Sequence, residues 1–203
     1  MNLLKAILLL RLPFSWAKRA EEYPTNEGLS TDKIIYREGL YMGYRYFDTF
    51  KKDVVFPFGF GLSYTNFKTE TLSCAIDKTV VTIKVRVTNQ GDFKGREVVQ
   101  CYLSSPDGKL QKPYQTLCGF EKTDWLKPNQ SQTLNISFNL LDFTSFDEET
   151  ASYILEKGDY IVRIGKNSAN TTAVCAVLVN ETFVSKKVLN RFPLKEKINE
   201  IWR

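Results

Sequence analysis

The clearest structural signal in the chain is a strict alternation of apolar and polar residues in its central part. Between residues 81 and 88 every odd position is Val or Ile, and every even position is Thr, Lys or Arg. A period of two is typical of a β-strand that has one buried and one solvated face. The segment therefore predicts a strand, and the residues Asn89-Gln90-Gly91-Asp92 that follow it predict a turn.

Further short strands are predicted along the rest of the chain. They cover residues 97–103, 115–120, 132–140, 152–155, 160–165 and 172–179, and Pro, Gly, Asn or Asp lies between most of them. Lys157-Gly158-Asp159 predicts a tight turn in which glycine adopts a positive φ. Because no amphipathic helix intervenes, the pattern predicts an all-β fold, an antiparallel β-sandwich with an irregular N-terminal extension.

The residues before and after these strands differ in character. Residues 1–69 contain a short apolar start, a polar stretch from Glu21 to Lys33, and an aromatic run from Tyr36 to Asp48 that needs a packing partner. Phe192 to Arg203 carries apolar residues near helical spacing, which predicts a short helix or a frayed tail. We therefore predict an N-terminal extension (1–69), a sandwich (70–182) and a C-terminal tail (183–203).

The composition excludes several kinds of site. Histidine is absent, and the four cysteines, Cys74, Cys101, Cys118 and Cys175, are widely spaced. A Cys/His zinc site, a Ser-His-Asp triad and a Cys-His nucleophile are therefore excluded, and no metal or cofactor is predicted. Most of the cysteines lie in apolar, strand-like runs, so we expect reduced thiols in the core, with two disulfides as the alternative. The net charge of +5 is scattered rather than clustered, which argues against nucleic acid as a partner.

The start of the chain gives a weak indication of location. Met1 to Leu10 is a short apolar run that Arg11 and Pro13 interrupt, and no small-residue cleavage site follows before Trp16. The run is too short to span a membrane, so no membrane partner is predicted. Together with the dispersed cysteines it favours the cytoplasm, with secretion as the alternative. Four Asn-x-Ser/Thr sequons matter only in a secreted eukaryotic protein; they begin at Asn129, Asn135, Asn170 and Asn180.

A run of aromatic residues and glycines connects the chain to a known family. Phe56-Pro57-Phe58-Gly59-Phe60-Gly61-Leu62-Ser63-Tyr64-Thr65, with Phe67 after it, closely resembles the motif that leads into the fibronectin type III-like domain of family 3 glycoside hydrolases. The resemblance continues, in order and at similar spacing, through Val87-Thr88-Asn89, Gly91, Gly95, Glu97-Val98-Val99-Gln100, Gly119-Phe120, Leu126-Lys127-Pro128 and Gly158 to Gly165. One departure is Asn129, where the family usually has glycine; asparagine also tolerates the left-handed conformation.

The resemblance also covers the N-terminal extension. Leu12-Pro13-Phe14-Ser15-Trp16 resembles a segment near the end of the family's α/β sandwich domain, and Tyr36 to Tyr46 resembles its linker. Residues 1–69 are thus interpreted as the end of that domain plus a linker. The faint similarity of Asn190-Arg191-Phe192-Pro193-Leu194 to members with permuted domain order adds the possibility of a following barrel.

The resemblance implies a function for a larger parent enzyme. In this family an aspartate nucleophile on a β/α barrel and a glutamate acid/base on the α/β sandwich hydrolyse β-glycosides with retention. Both residues are expected outside this chain, which would then be a non-catalytic module that braces the catalytic domains of a β-glucosidase-type hydrolase and is inactive alone. Those catalytic domains are the implied partner, and a β-glucoside is reached only through them.

Some residues of the aromatic run are candidates for the rim of the parent's sugar site or for interdomain contacts. Charged groups flanked by aromatic rings suit sugar recognition, and the candidates are Tyr36, Glu38, Tyr44, Arg45 and Asp48. The competing interpretation, which we favour, is that the tyrosines pack the linker onto the sandwich while Arg45 pairs with a carboxylate. The aromatic residues Phe56, Phe58, Phe60 and Tyr64 are expected in the core rather than in a ligand platform.

Two further interpretations come from other classes of protein. Asp124, in Thr123-Asp124-Trp125, resembles the family's nucleophile context, but its position between a predicted strand and Leu126-Lys127-Pro128 favours a surface loop. An active small glycosidase is also disfavoured because a catalytic barrel takes about 250 residues. A free-standing carbohydrate-binding or adhesion module would need exposed aromatic residues on one sheet face, and the outward positions Thr82, Lys84, Arg86 and Thr88 provide none.

Overall fold

The computed structural model describes residues 10–25, 34–189 and 198–203. Strands dominate it, as the sequence predicts. The strands, in chain order, are β1 (Trp16–Ala17), β2 (Val54–Phe56), β3 (Phe67–Asp77), β4 (Val80–Asn89), β5 (Val98–Ser104), β6 (Thr116–Lys122), β7 (Ser131–Asn139), β8 (Ser145–Asp147), β9 (Ser152–Leu155), β10 (Gly158–Asn167), β11 (Asn170–Val179) and β12 (Phe183–Lys187). The described helices are one α-helix, α1 (Tyr44–Thr49), and 3-10 turns at Ala20–Glu22 and Leu140–Phe143.

Two sheets form the sandwich. One has the strand order β3-β4-β7 and the other the order β11-β10-β5-β6, and all pairs are antiparallel. Inward side chains of both sheets form a single buried cluster that includes Val85 of β4, Leu103 of β5 and Val162 of β10. A third sheet, β12-β9-β8, and a two-stranded sheet, β1-β2, complete the described pairing. The all-β sandwich prediction is confirmed.

The alternating segment shows why the prediction succeeded. Along β4 the odd residues from Val81 to Val87 are fully buried, and the polar residues between them face outward. Each of the other predicted strands has a counterpart among β5, β6, β7, β9, β10 and β11. Strand β3 was not predicted, because it is an edge strand whose side chains are mostly exposed and lack alternation.

The cysteines differ from the expectation of reduced thiols. Cys74 of β3 and Cys175 of β11 form a disulfide that joins the two sheets, with 6.6 Å between their Cα atoms. Both lie at sheet edges, partly buried against the core, where the strands of opposite sheets approach each other. The dispersed spacing concealed this pair, since the two residues are 101 positions apart. Cys101 and Cys118 are free thiols with 3.3 Å between their Sγ atoms, and burial raises the pKa of the Cys118 thiol.

Two turns behave as predicted. Gly158 has a φ of +136°, and Asn129 has a φ of 63°, the left-handed conformation that asparagine tolerates. Strand β3 begins at Phe67 and β12 ends at Lys187, while the boundaries 70–182 stay a prediction. Residues 198–203 contain no helix, and the rest of the predicted C-terminal stretch lies outside the described residues.

Candidate functional site

The helix α1 fastens the aromatic linker to the sandwich. The Tyr44 hydroxyl accepts a hydrogen bond from the backbone N–H of Leu117 on β6, at 2.8 Å. The Thr49 hydroxyl accepts one from the backbone N–H of Tyr114, also at 2.8 Å. Phe47 is buried between these contacts. The helix is short, so its position depends on these bonds rather than on helix propensity.

A buried glutamine connects α1 to the hairpin between β10 and β11. The Gln115 side chain is fully buried and donates to Asp48 Oδ2 at 3.0 Å and to the Ser168 carbonyl at 2.6 Å. Its own oxygen accepts from the Thr171 hydroxyl at 3.0 Å, and the Ser168 hydroxyl donates to Asp48 Oδ1 at 3.3 Å. Burial raises the pKa of Asp48, and the hydrogen bonds from Gln115 and Ser168 offset part of that rise. The network makes the linker and the sandwich one packed unit.

A second buried glutamine holds the loop that carries Gly59. Gln100 Nε2 on β5 donates to the Gly59 carbonyl at 3.1 Å and to the Lys166 carbonyl at 2.7 Å, while its oxygen accepts from the Tyr102 hydroxyl at 2.7 Å. Gly59 has a φ of +79°, and a Cβ there would collide with the Gln100 amide. Glycine is therefore required at this position for both backbone and packing reasons.

A buried ion pair joins the loop between β5 and β6, against which the linker rests, to the segment between β9 and β10. Lys112 and Glu156 are joined by a short contact, and each side chain is almost fully buried. Burial disfavours the charged carboxylate, but hydrogen bonds from Lys112 Nζ and from the backbone N–H of Lys109 outweigh it and lower the pKa of Glu156. The Tyr41 hydroxyl donates to Gln111 Oε1 of the same loop at 2.6 Å. The ion pair thus fixes the surface on which the linker packs.

The structure distributes the five rim candidates over different environments. Tyr44 and Asp48 belong to the bonds that anchor α1, and Glu38 is buried and accepts a hydrogen bond from the Thr25 hydroxyl at 3.0 Å. Tyr36 is 70% exposed, whereas Arg45 is half-buried on α1. No carboxylate of the described residues forms an ion pair with Arg45. The role of these residues at a sugar site stays a prediction.

A row of aromatic residues lies outside the linker, in the segment before it and in the segment that follows α1. The rings of Phe14, Trp16, Phe56 and Phe60 follow one another, with centroid separations of 6.1, 6.3 and 4.8 Å. Phe14 and Trp16 are 48% and 53% exposed. Phe56 and Phe60, which were expected in the core, are partly buried and lie outside the core of the sandwich. Sequence reasoning did not identify them as a surface, although their spacing of two places both on one face of an extended strand. We call these four residues the aromatic row.

Backbone bonds link the members of the aromatic row, and the Ser168 N–H of the sandwich donates to the Phe58 carbonyl in the same segment at 2.9 Å. Trp16 of β1 pairs with Phe56 of β2, and the Leu12 N–H donates to the Phe60 carbonyl at 2.9 Å. Arg11 forms an ion pair with the buried Glu97 at the start of β5. A sheet of two very short strands is not stable alone in water. Its exposed aromatic surface therefore rests on the contacts with the sandwich.

Other large apolar side chains of the N-terminal extension are also exposed. Tyr64, expected in the core, is 65% exposed, while Phe58 is partly buried and stacks on Tyr44 with 4.6 Å between ring centroids. The further exposed members in the N-terminal extension are Leu10, Ile34, Leu40, Met42, Val55 and Leu62. Contiguous exposed apolar side chains, such as the neighbouring rings of Phe14 and Trp16, mark surfaces that contact a partner.

The remaining candidates show no reactive arrangement. Asp124 lies in the exposed loop after β6, where its carboxylate accepts a hydrogen bond from Gln132 Nε2 at 3.2 Å. The prediction of a surface loop agrees with this position. Among the residues described, no group of three or more potential metal ligands comes together, and no helix has the length and apolar character needed to cross a bilayer.

The sandwich topology and the anchored linker define a class of domain. Residues 97–168 match the family model of the fibronectin type III-like domain. A β-glucosidase of Ruminococcus albus is 39% identical over 185 residues, which is 88% of this chain and 19% of that protein. The chain therefore belongs to the C-terminal, fibronectin type III-like region of family 3 glycoside hydrolases of the β-glucosidase type.

Solved structures of such enzymes contain the same fold. A β-glucosidase of Paenibacillus barengoltzii matches with a TM-score of 0.85 and 34% identity over 89% of this chain and 21% of that one. A β-glucosidase of Kluyveromyces marxianus, solved with glucose, matches with a TM-score of 0.82 and 34% identity over 88% of this chain and 22% of that one. The chain thus spans about one fifth of the length of the relatives it matches.

Proposed function

We propose that the chain is the non-catalytic module of a β-glucosidase-type hydrolase and that its aromatic row docks against the catalytic domains. The parent enzyme would hydrolyse terminal β-glucosides in carbohydrate metabolism, and this module would brace the domains that do so. The observation that carries the proposal is the aromatic row, in which Phe14 and Trp16 are exposed and Phe56 and Phe60 are partly buried, although none of the four belongs to the core of the sandwich.

The chemistry of the aromatic row suits a protein partner. Its rings are inclined to one another, with interplanar angles of 47° between Phe14 and Trp16 and 71° between Trp16 and Phe56. Inclined rings interlock with side chains of another domain, whereas a sugar ring stacks on a single flat face. Aromatic residues with apolar neighbours are also typical of the centres of protein interfaces.

The anchoring network supports a bracing role. A surface that braces another domain must itself be held rigidly on its own domain. The hydrogen bonds of Gln115 hold the end of α1 through Asp48, and those of Gln100 hold the loop that carries Gly59. The rim candidates divide accordingly in the proposal. Glu38, Tyr44 and Asp48 support the linker from within, while Tyr36 and Arg45 remain available for contacts with the catalytic domains or the sugar rim.

The first experiment captures the native protein from source cells with an antibody against residues 70–180. We expect a product much larger than the 23.4 kDa of this chain, and we expect it to hydrolyse a chromogenic β-glucoside. The isolated chain should not hydrolyse it. A native product of 23.4 kDa without any associated hydrolase would overturn the proposal.

A second experiment tests the aromatic row in the native hydrolase. We expect Trp16→Ala to shorten the half-life of activity at elevated temperature several-fold while leaving KM for the glucoside unchanged. Trp125→Ala is the matched control, because Trp125 is a similarly exposed tryptophan in the loop after β6. Equal half-lives for the two variants would remove the aromatic row from the interface.

A second exposed aromatic pair is where the alternative of a free-standing carbohydrate-binding module can be tested. Phe146 of β8 and Tyr153 of β9 form an exposed pair with 5.1 Å between ring centroids. The rings are tilted by 49°, so they offer no continuous flat platform. Retardation of the chain in gels that contain soluble β-glucan, abolished by Tyr153→Ala but not by Phe120→Ala, would support this alternative.

A further inference from the structure

The inter-sheet disulfide bears on where the chain matures. Cys74 and Cys175 are joined, although neither belongs to a CxxC pair or any catalytic arrangement. Disulfides that brace two sheets form and persist in oxidising compartments, such as the secretory pathway, and are rare in the cytosol. The cross-link therefore favours the secreted alternative over the cytoplasmic expectation, which rested in part on reduced cysteines.

The four sequons provide an independent observation that points to the same compartment. The structure exposes every one of the four acceptor asparagines, Asn129, Asn135, Asn170 and Asn180. Their side-chain amides form no hydrogen bond with any residue that the structure describes. Exposure is not confined to the sequons, because Asn66 and Asn199 are also exposed and start none, whereas Asn89 is fully buried and bonded through both side-chain atoms.

The positions of the four asparagines leave room for a large substituent. Asn129 is in the turn before β7, Asn135 is on the outward face of β7, Asn170 begins β11, and Asn180 follows β11. The outward neighbours of Asn135 along β7 are Thr133 and Ser137, and both are exposed. Residues 1–69, which include the aromatic row, contain no sequon.

We propose that Asn129, Asn135, Asn170 and Asn180 are acceptor sites for N-glycans in a eukaryotic secretory compartment, where the Cys74–Cys175 disulfide also forms. The donor is an oligosaccharide linked through a diphosphate to a lipid carrier. The asparagine Nδ2 forms a bond to the anomeric carbon as the bond from that carbon to the diphosphate oxygen breaks. The lipid diphosphate leaves with the electron pair, and the amide loses one proton. The glycans shield the sandwich surface and raise its solubility.

The decisive test uses native protein purified from source cells. Treatment with peptide N-glycosidase F in ¹⁸O-labelled water converts each glycosylated asparagine to an ¹⁸O-labelled aspartate, which peptide mapping detects. We expect labelled aspartate at these sequons, and a peptide linked through Cys74 and Cys175 in the non-reduced digest. Unmodified asparagine at all four positions would overturn the proposal, whether or not the disulfide is present. Neither result depends on hydrolase activity, so the test is separate from that of the docking role.

A matched set of variants tests the site at Asn180. When the chain is secreted from yeast, Asn180→Gln should remove one glycan step from the ladder seen on partial deglycosylation. Thr182→Ser preserves the sequon and keeps the hydroxyl that accepts from the Lys157 N–H, and Glu181→Gln leaves the acceptor pattern intact. Both controls should retain the step. If Asn180→Gln kept every step of the ladder, Asn180 would be excluded as an acceptor.

Discussion

The sandwich and the linker are stabilised by different kinds of contact. The sandwich buries aliphatic side chains from both sheets, with Ile83, Val85 and Leu103 among its almost inaccessible members. The linker contributes few buried residues of its own, and it is held by hydrogen bonds to Gln100, Gln115 and the loop between β5 and β6. The sandwich therefore carries its own core, while the linker depends on the sandwich for its shape.

This dependence explains where the exposed aromatic residues are. Because the N-terminal extension gains its position from polar bonds to the sandwich, it also presents exposed apolar side chains such as Phe14 and Trp16. From Thr82 to Thr88 the outward face of β4 carries Thr, Lys and Arg, with Val80 as an exposed apolar residue at its start. The contrast predicts that damage to the sandwich will also release the linker, whereas damage to the linker will spare the sandwich.

The largest effect is expected from a cavity in the sandwich core. Ile83→Ala should lower the free energy of unfolding by about 2 to 5 kcal/mol, since the residue is fully buried and its loss leaves a void. Denaturant titration followed by tryptophan fluorescence and by circular dichroism should give coincident transitions, because the linker unfolds with the sandwich. Lys84→Ala, on the outward face of the same strand, is the control and should change stability little.

A smaller and more local effect is expected from the linker anchor. Gln115→Ala leaves the Asp48 carboxylate without one hydrogen-bond donor. The substitution should lower the free energy of unfolding by about 1 to 3 kcal/mol. Limited proteolysis should then cut at Lys51 and Lys52 while the sandwich stays resistant. Gln90→Ala, at an exposed position after β4, should leave the cleavage rate unchanged. If the whole sandwich became susceptible at once, linker and sandwich would share one cooperative unit.

The sequence predicted the sandwich better than the linker for a physical reason. Burial on one face of β4 leaves a period of two in the residues themselves, and the fold class follows from that period. The edge strand β3 has little buried surface, so its residues carry no such pattern. The aromatic run from Tyr36 to Asp48 correctly indicated packing against the sandwich, since Tyr41 is buried and Tyr44 is bonded to β6.

The polar anchors and the disulfide could not be predicted in the same way. Gln100 and Gln115 lie beside apolar residues in strand-like segments. The neighbouring sequence gives no signal that their hydrogen-bond partners are Gly59 and Asp48. Cys74 and Cys175 meet only because β3 and β11 are edge strands of facing sheets. Pairing across sheets depends on topology rather than on spacing. The aromatic row was likewise hidden, because exposure of Phe14 and Trp16 depends on what surrounds them.

A turn of the sandwich offers a finer test of backbone strain. The Gln130 N–H donates to the Lys127 carbonyl at 3.0 Å across Pro128 and Asn129, and Asn129 adopts a left-handed φ of 63°. In chain produced without glycosylation, Asn129→Ala should lower the free energy of unfolding by about 1 kcal/mol, because a Cβ-bearing residue without a short polar side chain is strained there. In thermal denaturation, Asn129→Gly should leave the melting temperature unchanged or raise it slightly. A loss with glycine as large as that with alanine would contradict strain as the cause.

The smallest effect concerns the charge of Asp48 at the boundary between linker and sandwich. Burial raises the folded-state pKa of Asp48 above its unfolded value of about 3.9, although the hydrogen bonds from Gln115 and Ser168 oppose the rise. The protonated form is thus favoured by folding, so the contribution of Asp48 to stability is greatest below about pH 4 and declines as the pH rises towards the folded pKa. Urea titrations of the wild type and Asp48→Asn from about pH 4 to 7 measure this contribution as the difference between their free energies of unfolding. The difference, wild type minus variant, should fall as the pH rises. Glu156 has a lowered pKa, so its contribution to stability has the opposite pH dependence and is lost at low pH. Because Glu156 is present in both proteins, its contribution cancels in the difference between the wild type and Asp48→Asn. A difference that increased with pH would mean that the two donors outweigh burial, and that Asp48 is held in the linker as a favoured anion.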